Sequence, residues 1–200
     1  MKTLRKFRLL VYGVFAFMLA IGLVAELEAQ FSRIRAQQLV SELRKVRVGV
    51  TTFDDSMLLA KRLNGHTSIP CNTSFCKIEF VVHNGLAAKL HFAKPTTFGG
   101  VLTVKNGIVS YMSVSLFVSS RVATIAAADT LVFPVGVERP YTVSVGRINA
   151  NTEWKTIVRM TPAAPPKLYS AALNFNVACL SRIAGCTQSN ELRLESVEMR

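Results

Sequence analysis

The chain has 200 residues, half of them hydrophobic, a net charge of +12 and four cysteines. That apolar content excludes a disordered chain, and the length leaves about 150 residues for one domain with a real core once a tether and its stalk are set aside. Apart from four cations before residue 9, Lys and Arg are spread as single residues, with no Arg-rich segment or aromatic stacking motif, so no nucleic-acid partner is expected.

The first element is a run without charge from Leu9 to Ala25, preceded by Lys2, Arg5, Lys6 and Arg8 and followed at once by Glu26 and Glu28. A membrane-crossing helix needs about 20 mostly apolar residues, with about 17 as the lower end. The pattern predicts a basic cytoplasmic tail over 1–8 and a transmembrane signal anchor over 9–27, its contact with the lipid bilayer running from Leu9 to Leu27. Positive charge on the leading side places the N-terminus in the cytoplasm. A cleaved leader and a buried soluble helix are the competing readings. Ala20-Ile21-Gly22 offers a small-x-small site in mid-run, and Leu27-Glu28-Ala29 is a poor one. The helical pattern passes both without a break, which favours the anchor. Both exporting readings put the rest of the chain outside the cytoplasm. The expected location is the bacterial inner membrane, crossed once, with an extracytoplasmic domain.

Residues 28–47 continue as an amphipathic helix in two phases. Leu27, Phe31 and Ile34 share one face, while Ala36, Leu39, Val40, Leu43 and Val46 lie roughly opposite. A coiled-coil seam would hold a single phase, so an extended dimer stalk is disfavoured and the second set is expected to pack on the domain. The domain itself is expected over 48–190. Gly49 suits a helix C-terminus, and Thr51 or Thr52 suits an N-cap with Asp54 and Asp55 in the first turn. That second helix carries Phe53, Met57, Leu58, Ala60 and Leu63 and stops at Asn64-Gly65. N-terminal capping accounts for the paired acids without any acid–base or metal role.

Beyond Pro70 the period changes to that of strands. Lys77 to His83 reads as a strand turned by Asn84-Gly85, and Leu86 to Phe92 is ambiguous between strand and short helix. Gly99 to Lys105 and Ile108 to Val118 flank Asn106-Gly107, a hairpin signal. Further strands are expected at Arg121–Ala127, Thr130–Val135, Tyr141–Ile148 and Glu153–Met160. After the Pro-rich connection 161–166, alternation from Leu168 to Leu180 reads as strand again. Residues 191–200 form a charged tail. The expected fold class is α+β: a transmembrane helix, its amphipathic continuation and a mostly antiparallel sheet.

The cysteines fall in two local pairs, Cys71 with Cys76 and Cys179 with Cys186. In an oxidising space all four are expected in disulfides. Three pairings are open, and the local one closes two short loops. A zinc site is the alternative, but the spacings exceed the usual knuckle and no His stands beside either pair. His66, His83 and His91 are the only histidines. With Glu79 they are the residues from which a metal or acid–base site would be built, yet nothing in the pattern fixes them on one face. No Gly-x-Ser-x-Gly elbow and no phosphate-binding glycine loop occurs. Trp154 is expected to pack on the sheet, and Asn72-Thr73-Ser74 matches the glycosylation acceptor pattern. The sequence thus assigns no catalytic residue, no cofactor and no metal, and leaves the oligomeric state open.

The stretch Leu43 to Phe53, a helix, Asn64-Gly65 and Cys-bounded strands together resemble single-span bacterial envelope proteins of unassigned function. This likeness implies a binding or scaffolding role. A hydrophobic N-terminal helix, an amphipathic continuation, an antiparallel sheet and a late Cys pair are also similar to type IV pilins and pseudopilins, which implies a filament or secretion subunit. Against that family's pattern, the apolar run contains no Glu, and no Gly precedes a Phe at its start. The function expected is a membrane-anchored binding or scaffolding protein, with an envelope protein or an anionic polymer as partner. An envelope hydrolase is the enzymatic alternative, requiring a polar pocket that joins His83, His91 or Glu79 to Ser or Asp residues.

Overall fold

The computed structural model describes residues 2–91, 93–119, 141–146, 152–162, 172–182, 186 and 191. Its backbone is α+β, one long helix laid on an antiparallel sheet. Helix α1 (Lys2–Leu43) runs 42 residues without a break, about 63 Å at 1.5 Å per residue. Among the described residues it is the one helix long and apolar enough to cross a membrane. From Leu9 to Ala20 its side chains are exposed. From Ala25 a single stripe is buried, made by Ala25, Ala29, Ser32, Ala36, Leu39, Val40 and Leu43. Steps of three and four keep these on one face. The packed face therefore begins eleven residues before the expected Ala36, because small side chains let the domain approach closely without leaving a hydrophobic signal. Leu27, Phe31 and Ile34 lie off this stripe and stay 51%, 62% and 48% exposed.

The helix stops at Leu43, four residues short of the expected Arg47. The Lys45 and Val46 amides donate to the carbonyls of Glu42 and Leu43, three residues back, which tightens and closes the last turn. Val46 and Val48 are buried beyond it. Helix α2 (Phe53–Arg62) starts on a complete capping box, in which the Asp55 amide donates to Thr52 Oγ1 and the Asp55 carboxylate accepts from the Thr52 amide. It ends on Asn64 at φ 52°, with the Gly65 amide donating to Ala60, the long bond of a Schellman turn. Leu58, expected among its packed residues, is exposed, whereas Ser56, Leu59 and Ala60 are buried.

Six strands form one antiparallel sheet in the order β1-β2-β3-β4-β6-β5. They are β1 (His66–Thr67), β2 (Phe75–His83), β3 (Thr96–Lys105), β4 (Ile108–Ser119), β5 (Tyr141–Gly146) and β6 (Thr152–Met160). The β3–β4 hairpin turns on Asn106 and Gly107, both at positive φ, as expected of a turn that matches strand twist. Ile78, Leu102, Met112 and Met160 are opposite one another across four strands and fully buried. Helix α1 covers this face at close range. A Cβ on Gly100 would stand 2.7 Å from Leu43 Cδ1, so a larger residue there would force the Leu43 side chain to shift.

Two expectations are corrected. Asn84-Gly85 does not turn one strand into another; it opens a short helix, α3 (Gly85–Lys89), which settles the ambiguity over Leu86–Lys89. Of the strand expected over Leu168–Leu180, residues 168–171 lie outside the described residues and 172–180 are not a regular strand, since Val177–Leu180 forms a 3-10 helix. Phe175 meets Phe98 edge-on at 5.4 Å, and Arg44 Nη2 donates to the Leu173 carbonyl at 3.1 Å. This segment packs against α1 and β3. The strands expected at Arg121–Ala127 and Thr130–Val135 lie outside the described residues. Both disulfides take the local pairing, Cys71–Cys76 and Cys179–Cys186, and no cysteine is free.

Candidate functional site

The corner where β2 enters α3 is stitched to α1 by side chains of the long helix. The Ser32 hydroxyl donates to the His83 carbonyl at 3.0 Å. The Glu28 carboxylate accepts from the amides of Leu86 and Ala87, at 3.3 and 3.4 Å, and so caps α3 from outside. Asn84, buried at the corner, closes the excursion that carries α3. Its Nδ2 donates to the Lys94 carbonyl at 2.9 Å and its Oδ1 accepts from the Thr96 amide at 2.8 Å. A charge in the helix and an amide at the strand end are thereby satisfied by backbone, as buried polar groups must be.

Beside this corner lies an open groove of about 470 Å³. Val24, Leu27, Glu28, Phe31, Ser32 and Arg35 line it from the helix, and Val81, Val82 and His83 from the strand. Strand β1 pairs only with Ile78 and Glu79. Among the described residues no strand lies beside Phe80–His83 on that edge. The groove thus combines an apolar wall, the end of β2 and a rim of Arg35 and His83. Such a surface suits an amphipathic segment or an acyl chain.

Ser32, His83 and Glu28 are the residue types of a hydrolytic triad, and the groove gathers all three. Their bonds do not form a relay. The Ser32 hydroxyl points at the backbone carbonyl of His83, and both Glu28 oxygens are on α3 amides. A nucleophile needs its base within hydrogen-bond reach, and here the hydroxyl proton is directed elsewhere.

The remaining candidates are dispersed. His66 lies in register with Glu79, which is ion-paired to Lys77. His83 is four residues along the same strand, about 13 Å away at strand rise. His91 follows α3 at φ 61°, its Nδ1 3.1 Å from the Lys89 carbonyl. Among the described residues no group of three or more His, Cys, Asp or Glu side chains is placed to hold a metal. Asp54 and Asp55 occupy the first turn of α2. Asn72 accepts from the amides of Ser74 and Phe75 and shapes the loop before β2. Trp154 stands opposite Val118 in β6. On the sheet face away from α1, burial raises Tyr111 above the usual tyrosine range, partly offset by the Arg159 charge and a hydrogen bond with Ser113.

Glu28, Ser32 and Asn84 escape a reading of the sequence. The partners of the two helix residues lie 51 to 59 positions away, and no local pattern announces such a contact. No protein-family model, no curated protein and no solved structure matches this chain.

Proposed function

We propose that the protein is a membrane-anchored, extracytoplasmic binding or scaffolding module of the bacterial envelope. Residues 9–27 hold it in the inner membrane with the N-terminus cytoplasmic, and the groove beside α1 receives the partner. The observation that carries this reading is the continuity of α1, whose free apolar half passes without a hinge into the half that forms the domain's core. Two disulfides suit an oxidising space, and the basic residues before the apolar run suit the proposed orientation. A photo-crosslinking residue at Phe31 or Val81, introduced in intact cells, tests the groove against the same residue at Ile69, on the loop before Cys71. A discrete envelope-protein or glycan adduct from the groove positions is expected. Adducts to lipid alone would contradict a binding role.

A second reading, a pilin-like filament or secretion subunit, is favoured by the same division of α1 into a projecting half and a packed half over a sheet with a late disulfide. It requires proteolytic processing just before the apolar run. An intact N-terminal Met1 would exclude it.

A further inference from the structure

We propose that the α3 corner is a second membrane contact, a foot that sits in the headgroup layer and binds the phosphates of anionic phospholipids. The inference rests on the membrane-anchored reading and follows from lengths along one rigid helix. With Arg8 at the inner boundary, a hydrocarbon core of about 30 Å takes about 20 residues, from Leu9 to the neighbourhood of Glu28. The headgroup layer extends about 5–7 Å further, roughly one helical turn, to about Ser32. These are the two residues that hold the corner: Glu28 caps α3 and Ser32 binds His83. A tilt of about 20° moves this level by less than one turn. The corner is therefore fixed at headgroup depth, and it has no freedom to leave without breaking those bonds.

Its chemistry suits that depth. No Asp or Glu occurs between Glu79 and Asp129, so the corner's own charges are cationic. Lys89 is exposed at its tip, and Arg35 is exposed on the adjoining helix. Leu90 beside Lys89 remains 36% exposed. The nearest acid, Glu28, has both oxygens on backbone amides. An apolar side chain next to a lysine is the arrangement that enters an interface while its charge meets phosphate. The same layer reaches Leu27, which is exposed at this height.

The test uses the full chain in nanodiscs of phosphatidylcholine alone or mixed with phosphatidylglycerol. In a Trp154→Phe background, Trp is placed singly at Leu90, Phe17 and Ile69, and quenching by spin-labelled lipid is read. Phe17→Trp reports the span and Leu90→Trp the foot. Both are expected to be quenched, Leu90→Trp more strongly with phosphatidylglycerol, and Ile69→Trp not at all. Hydrogen exchange of residues 85–91 in the unaltered chain supplies a readout that needs no substitution. Protection there is expected to rise with phosphatidylglycerol and to fall about fivefold in Lys89→Ala, the effect of one cation near an anionic surface. Quenching at Phe17 without quenching at Leu90 overturns the foot and leaves the anchor. No quenching at either overturns both. Equal behaviour in the two lipid mixtures overturns the binding of anionic phosphate.

Discussion

Glu28 sits where the exposed apolar half of α1 passes into the half packed on the sheet, and a carboxylate there needs partners. The first amides of α3 supply them, so removing the carboxylate should loosen α3 and little else. In Glu28→Ala, faster hydrogen exchange at Leu86 and Ala87 is expected, by about tenfold for the loss of hydrogen bonds to a charged group, with the Tm of the whole domain nearly unchanged. An unaltered exchange rate would mean that Glu28 does not cap α3. Asn84 is a different case, because it is buried at one end of the α3 excursion and its side chain bonds the backbone at the other. Asn84→Ala should cost about 1–3 kcal/mol, visible as a lower Tm. Tyr111 gives the fold a dependence on alkaline pH. Its acidity is suppressed in the folded state, so its contribution is complete below the ordinary tyrosine range and is lost as pH rises through the raised value. A Tyr111→Phe variant should therefore lose less stability than the parent between pH 9 and about 11; parallel pH profiles would contradict this. The capping box of Thr52 and Asp55 was legible in the sequence because its partners are three residues apart. Glu28, Ser32 and Asn84 were not, because tertiary folding alone brings their partners to them.

At the scale of elements, the contact between α1 and the sheet sets the geometry of the groove. Leu43 fills the space that a side chain on Gly100 would need. Gly100→Ala should cost about 1–3 kcal/mol by overpacking, and Leu43→Ala about 2–5 kcal/mol by leaving a cavity. The double variant should cost less than the sum, since the added methyl occupies part of the vacated space. Additive losses in urea unfolding would show that helix and sheet do not meet there. The hairpin at Asn106-Gly107 could be read directly, because local turn chemistry and strand alternation agree. The helix face could not be read in full, because Ala25, Ala29 and Ser32 pack by being small. Alternation misled at Leu173, Phe175 and Val177. Those side chains are buried against α1 and β3 from a 3-10 turn and its approach, a burial pattern that imitates a strand.

At the scale of the whole molecule, a helix of 42 residues joins an exposed apolar rod to a disulfide-stapled α+β domain without an intervening linker. A flexible tether would let the domain sample many heights, whereas this arrangement fixes its distance and orientation from whatever holds the rod. The groove, the end of β2 and the α3 corner all lie close to that junction, which is why a role at the membrane surface is proposed. The central claim is an uncleaved anchor carrying an oxidised domain. Its most direct test is the intact mass of the protein extracted by detergent from a bacterial membrane, alkylated before and after reduction. The account predicts a mass that retains residues 1–29, with four cysteines that take up label only after reduction. A mass beginning after about residue 22 or 29, or four cysteines labelled without reductant, would contradict it.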